Sequence, residues 1–126
     1  MRVLFVYFEE SLKQLFHMAL ELEGYTITST QSAAEAIRLL DENPNESFVL
    51  FADNTVFNEE AIHVFERLQT SPEVRRRVRV IGWNAMRDRD YLQARAGGML
   101  DDFLPMPFTF GQVLSCVTAN AAYLPN

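Results

Sequence analysis

The sequence contains a single cysteine, Cys116, which excludes an intrachain disulfide and any cysteine-based metal site. Its glycines, Gly24, Gly82, Gly97, Gly98 and Gly111, fall into no GxGxxG or Walker spacing, so the phosphate-cradling loop of common nucleotide binders is missing. No apolar run approaches the roughly 18 residues that cross a bilayer. The N-terminus, Met1 to Val6, enters a strand directly and has no signal-peptide cleavage pattern. The two histidines, His17 and His63, have no second histidine or cysteine at ligand spacing and read as surface or rim residues. Basic charge is scarce: 11 Lys and Arg stand against 17 Asp and Glu, a formal net charge of -6. That balance argues against direct nucleic-acid binding by the domain as a whole. A cytoplasmic protein with no membrane partner fits these absences.

What is present is apolar and ordered in blocks. Hydrophobic residues make up 48% of the 126 residues, enough for one core, so residues 1–126 read as a single domain. Phe48-Val49-Leu50-Phe51-Ala52 is an unbroken apolar run after the turn cluster Asn43 to Ser47, the pattern of a strand buried on both faces. It ends in Asp53. In an open α/β sheet the functional crevice lies at the carboxyl ends of the strands, and Asp53 stands at such an end.

Four more strands follow from similar runs: Val3 to Phe8, Tyr25 to Thr30, Val78 to Gly82, and Asp102 to Leu104. Helices alternate with them. Glu9-Glu10-Ser11 opens the first, with Leu12, Leu15, Phe16, Ala19 and Leu20 on one stripe and Gly24 as the stop. Ser32-Ala33-Ala34-Glu35 reads as a capping box for the second, which ends before Pro44. Asn58-Glu59-Glu60 caps the third, which buries Val64, Phe65 and Leu68 and is broken at Ser71-Pro72. Asp88 to Ala96 is the fourth, and Thr109-Phe110-Gly111-Gln112 is a capping box for the last. Arg75-Arg76-Arg77-Val78-Arg79 reads as a solvated loop and strand start, with an acidic partner or phosphate as the sharper alternative. Cys116 reads as a small core filler. Strand–helix alternation implies a parallel sheet covered by helices on both sides.

These blocks resemble the CheY-like receiver domain of bacterial response regulators, along the chain from Val3 to about Val117. The likeness rests on Asp53 at the end of the third strand, on Val80-Ile81-Gly82-Trp83-Asn84-Ala85, on Asp102-Phe103-Leu104-Pro105-Met106-Pro107-Phe108, and on the Gly24-Tyr25 turn. It implies a flavodoxin-like five-stranded parallel sheet of order 2-1-3-4-5. It also implies a phosphoacceptor at Asp53, switch positions at Asn84 and Phe103, and a cis bond before Pro107.

At the metal and phosphoryl positions the sequence departs from the family. The acidic pair that closes the first strand is Tyr7 and Phe8, and the lysine is Met106. Magnesium takes oxygen ligands, usually carboxylates, and a thioether offers no positive charge to a phosphoryl group. Losing both removes most of the electrostatic stabilisation on which phosphoryl transfer depends. Glu9 and Glu10, beside the lost pair, are the remaining candidates to hold a cation with Asp53. The expectation is a degenerate receiver, or pseudo-receiver: not an enzyme, without a cofactor, and acting by protein–protein interaction. Its partner would be a histidine kinase, an output domain or another regulator, bound on a surface including Trp83, Arg87 and Arg95. A homodimer through the last helices is a further partner expectation. One alternative is an atypical receiver still phosphorylated at Asp53. Another is a flavodoxin-like small-ligand or nucleotide-binding protein, which the glycine pattern disfavours.

Overall fold

Strands β1 (Arg2–Val6), β2 (Thr26–Thr30), β3 (Phe48–Ala52), β4 (Val78–Trp83) and β5 (Asp102–Leu104) form one sheet in the order β2-β1-β3-β4-β5. All four neighbouring pairs are parallel. The structure is a computed structural model that describes residues 1–6, 10–52, 62–83, 93–94, 97–105 and 107–125, and only the backbone of residues 10–13, 15 and 62. Its helices are α1 (Glu10–Glu21), α2 (Ala33–Glu42), α3 (Ile62–Thr70), the short α4 (Pro72–Arg76) and α5 (Phe110–Ala121). Of the helix expected over residues 88–96, Gln93 and Ala94 are described and are helical. The cap at Asn58 and the bond before Pro107 fall on residues outside the described set.

β1, β3 and β4 divide their side chains between two cores, because successive residues point to opposite faces. Leu4, Val6, Phe48, Leu50, Ala52, Val78 and Val80 pack against Ala36 and Leu40 of α2 and Val64, Phe65 and Leu68 of α3. Val3, Phe5, Val49, Phe51, Ile81 and Trp83 pack against Phe16 and Leu20 of α1 and Val113 and Val117 of α5. β3 is buried at every residue, as its unbroken apolar run requires between two helical layers.

The helix ends show why the segments start and stop where they do. Thr109 Oγ1 accepts from the Gln112 backbone N–H at 3.2 Å, and the Gln112 side chain accepts from the Thr109 N–H at 2.7 Å, a complete capping box. At α2 only half of the expected box forms. Ser32 Oγ accepts from the Glu35 N–H at 3.1 Å, but the Glu35 carboxylate reaches one residue further and accepts from the Gln31 N–H at 2.8 Å. Gly24 takes φ 86°, the left-handed conformation that lets the chain leave α1 and enter β2.

The arginine run departs from the solvated-loop reading. Ser71 and Pro72 do more than break α3: Ser71 Oγ accepts from the Val74 N–H, and Pro72 sits in the first turn of α4. Arg75 and Arg76 therefore lie on a helix, and the run folds inward at Arg77. Arg77 is 4% exposed. It donates to the carbonyls of Leu40 (2.7 Å), Asn43 (3.0 Å) and Glu46 (3.3 Å), so a buried cation closes the C-terminus of α2. Arg75 makes a bidentate pair with Asp101 at 2.9 and 2.6 Å. Arg79 lies 3.5 Å from Asp101, donates to Asn120 Oδ1 at 3.1 Å and stacks 4.5 Å over the Tyr123 ring. Of the run only Arg76 is largely exposed, beside Glu73 at 3.7 Å.

Candidate functional site

The carboxyl edge of the sheet is fixed by register. Val6 lies opposite Ala52, Ala52 opposite Gly82, and Trp83 opposite Leu104, so β1, β3, β4 and β5 end side by side. The residues that follow those ends in sequence are the candidates named above. Tyr7, Phe8, Glu9, Asp53, Asn84, Arg87, Arg95 and Met106 lie outside the described residues. Glu10 opens α1 with its backbone described. Two candidates, Trp83 and Phe103, are described in full.

Trp83 is not a surface anchor. It is 0% exposed. β4 runs one residue further than its apolar stretch implies, and Trp83 falls in phase with Ile81 on the α1/α5 face. There its ring meets Phe16 at 5.6 Å and Phe108 at 5.9 Å, both edge to face, and Phe16 meets Phe108 at 5.5 Å. Phe16 also reaches the stacked pair Phe5 and Phe51, whose centroids lie 5.0 Å apart. One aromatic cluster thus joins α1, the strand ends and the entry to α5. Edge-to-face rings of this kind contribute beyond their burial alone.

Phe103 lies on the other face, half-buried against the α2/α3 core. It covers Gly82, where a Cβ would approach Phe103 Cδ2 to 3.4 Å and the Leu100 methyls to 3.0 and 3.1 Å. Gly82 therefore permits the close packing of the segment before β5 onto β4. That segment is held in turn by Gln93, whose amide accepts from the Leu100 N–H at 2.8 Å and donates to the Leu100 carbonyl at 3.0 Å.

Cys116 sits half-buried beneath β5, with Sγ 3.7 Å from Asp102 Oδ2. Burial, and then the adjacent Asp102 charge, push its thiol up to about 12. A thiol so protonated at neutral pH is a poor nucleophile. Asn120, 1% exposed, completes this corner by donating to Asp102 Oδ2 at 2.9 Å and to the Cys116 carbonyl at 2.8 Å. His17 lies 3.1 Å from Glu21, and the exposed His63 lies 3.5 Å from Glu66. Among the described residues no cluster of three or more His, Cys, Asp or Glu is placed to hold a metal ion, and no helix is long and apolar enough to cross a membrane.

The sequence reading took Arg77 for a solvated residue and overlooked Asp101 and Asn120; the three tie the amino edge of the sheet together. It also overlooked an apolar groove between α1 and α5, lined by Met18, Ala19, Leu22, Phe110, Gly111 and Leu114. A signal for the groove was available: no charged residue or histidine follows Asp102.

No family model matches the chain, and no curated protein matches it. Solved structures do. The signal receiver domain of a signal transduction histidine kinase from Syntrophus aciditrophicus superposes with TM-score 0.74 at 20% identity, over 96% of this chain and 89% of that one. The Vibrio cholerae chemotaxis protein CheY4 gives TM-score 0.68 at 18% identity over 94% and 97% of the two chains. A CheY-like response regulator receiver domain protein from Methanospirillum hungatei JF-1 gives 0.68 at 14% identity over 97% and 95%. With its parallel sheet in the order 2-1-3-4-5, the chain has the flavodoxin-like fold of CheY-like receiver domains.

Proposed function

We propose that this chain is a receiver-type module of two-component signalling that acts by binding a protein partner, with magnesium-dependent phosphorylation impaired or absent. It is then not an enzyme, and it works in the cytoplasm. The observation that carries this reading is the residue set following the aligned strand ends. After Val6 come Tyr7 and Phe8, after Ala52 comes Asp53, after Trp83 comes Asn84, and after Pro105 comes Met106. A phosphorylation site needs several oxygen ligands for a divalent cation and a cation for the phosphoryl group. These positions supply one carboxylate and neither lysine nor arginine. The receiver fold of the structural neighbours supports the signalling half of the proposal.

The retention of Asp53, with Glu9 and Glu10 close by in sequence, favours a second reading: an atypical receiver still phosphorylated at Asp53 that switches a partner or output domain. Titration with magnesium and beryllofluoride separates the two. Trp83 reports the result, being buried at the end of β4 one residue before Asn84. Unchanged Trp83 emission and unchanged amide shifts at millimolar cation are expected. A saturable, magnesium-dependent change that disappears in Asp53→Asn would overturn the proposal and install the second reading.

A further inference from the structure

The two edges of the sheet are finished differently. β5, at one edge, is three residues long and begins with Asp102, whose carboxylate turns inward to accept from the Asn120 amide at 2.9 Å. A short strand and an inward charge both keep a further strand from adding. β2, at the other edge, runs for five residues, Thr26-Ile27-Thr28-Ser29-Thr30, with no charge, proline or glycine. All but Ser29 are β-branched, the residue type that suits a pleated, half-buried surface. β2 has none of the protection that β5 carries, and among the described residues no strand pairs with its outer side.

Register decides which backbone groups are free. The Thr26 N–H donates to the Met1 carbonyl, and Arg2, Leu4 and Val6 stand opposite Thr26, Thr28 and Thr30. In a parallel ladder of that phase these three threonines turn their backbone groups to β1, which leaves the N–H and C=O of Ile27 and Ser29 facing outward. Beside them, between β2 and α2, is a hollow of about 190 Å³ whose lining includes Thr28, Thr30, Glu35, Arg38, Leu39 and Glu42. Arg38 lies 4.0 Å from Glu42, so the lining holds two carboxylates against one guanidinium, with Leu39 as its apolar part. That combination suits a lysine, whose aliphatic stem packs on apolar surface while its ammonium reaches a carboxylate.

We infer that β2 is an open edge for strand addition, and that it takes an extended partner segment bearing basic residues at alternate positions. Main-chain hydrogen bonds to Ile27 and Ser29 hold the segment, and the hollow with Glu35 and Glu42 selects its side chain. A second copy of this chain fits less well. Its β2 has no lysine or arginine to meet those acids, and pairing edge to edge would line up Glu35 and Glu42 of both copies. The inference rests on reading the chain as an interaction module, and it places the docking edge on the α2 side of the sheet.

The probe is a labelled peptide of alternating lysine and valine, about six residues long as a typical strand is. It is titrated onto the whole chain at physiological salt and followed by fluorescence anisotropy and amide shifts. The contact is small, so saturation with a Kd of about 0.1–1 mM is expected, with the largest shifts at Ile27 and Ser29. Ser29→Pro removes an outward N–H and leaves the ladder to β1 intact; it is expected to weaken binding about tenfold or more. The same peptide N-methylated at alternate residues keeps its charge but loses the donors that would face β2, and it is expected not to bind. Nor is a glutamate–valine peptide. Absence of binding by the lysine peptide up to about 1 mM overturns the inference. So does equal binding of the N-methylated or glutamate peptide, or unchanged binding to a Ser29→Pro chain whose circular dichroism melt is unaltered. Where that melt falls, the N-methylated peptide decides alone. No magnesium or phosphate analogue is present, so failure here leaves the phosphorylation question to the beryllofluoride titration.

Discussion

Substituting Arg77 with methionine keeps most of the side chain's length and removes its guanidinium. The Leu40 carbonyl, at the buried end of α2, then loses its 2.7 Å donor, and a buried acceptor left unpaired costs about 1–3 kcal/mol. The Asn43 and Glu46 carbonyls lie in a half-exposed turn, where water takes over much of the role of the lost donors. The favourable placement of a cation at a helix C-terminus disappears as well, worth up to about 2 kcal/mol in partly buried geometry. Because methionine preserves the apolar stem, little packing is lost. The sum is a destabilisation of about 3 kcal/mol, or a fall in Tm of roughly 10–15 °C for a chain of this size.

Urea unfolding followed by circular dichroism measures the change, and an unaltered m-value is needed to attribute it to stability. Arg76→Met is the control. Arg76 is exposed and lies 3.7 Å from the equally exposed Glu73, so its loss is expected to stay within about 0.5 kcal/mol. If Arg77→Met also stayed within about 0.5 kcal/mol, the inward placement of the guanidinium would be refuted. The arginine run would then return to being a solvated loop free to meet an acidic partner.

Two further substitutions probe the sheet's other corners. Gly82→Ala drives a Cβ to 3.0 and 3.1 Å from the Leu100 methyls, and the overpacking is expected to cost about 1–2 kcal/mol in urea unfolding; coupling to Leu100→Val should make the double variant less than additive, and unchanged stability would refute the contact. For Cys116, thiolate absorbance on alkaline titration is expected to rise only near pH 12, against about 8.5 for a free thiol. The native thiol's raised pKa means the unfolded chain releases that proton first. The stability linked to it is complete below the unfolded pKa and is lost as pH rises toward about 12. Cys116→Ala should remove that part of the alkaline slope, whereas rapid modification of native Cys116 by a disulfide reagent at pH 8 would contradict its burial beside Asp102.

Where local pattern and tertiary environment agree, the sequence was readable. β3 and β5 coincide with their apolar runs, and the Thr109 box closes as its residue types require. Trp83 was misread because β4 was ended at Gly82. Counting by twos from Arg79 and Ile81 puts Trp83 on the α1/α5 face, a deduction that needs one more strand residue and nothing else. Arg77 is a harder case. Consecutive arginines carry every local signal of solvation, and only the parallel crossover brings the last turn of α2 within reach of one of them. Ser71-Pro72 carries two messages at once, since Pro ends α3 and also suits the first turn of α4. The half-formed box at Ser32 shows the same limit: the spacing specifies a carboxylate near the helix start but not which N–H it reaches. At the carboxyl edge, the strand order matches what the resemblance implies, while most of the candidate residues beyond the strand ends lie outside the described set.

The aromatic cluster links the carboxyl edge of the sheet to the groove between α1 and α5. Phe16 and Phe108, which flank Trp83 beneath the carboxyl edge, also border a hollow of about 210 Å³ shared with Phe110 and Val113. Phe110 in turn bounds the α1/α5 groove. Packed rings transmit displacement because an interior at crystal density has little room to absorb it. In a receiver that binds magnesium and phosphate, movement at the strand ends would therefore reach the groove through these rings. On the reading proposed above, Tyr7, Phe8 and Met106 stand in place of the charged apparatus, so no phosphoryl group would drive that movement and the groove would keep one form.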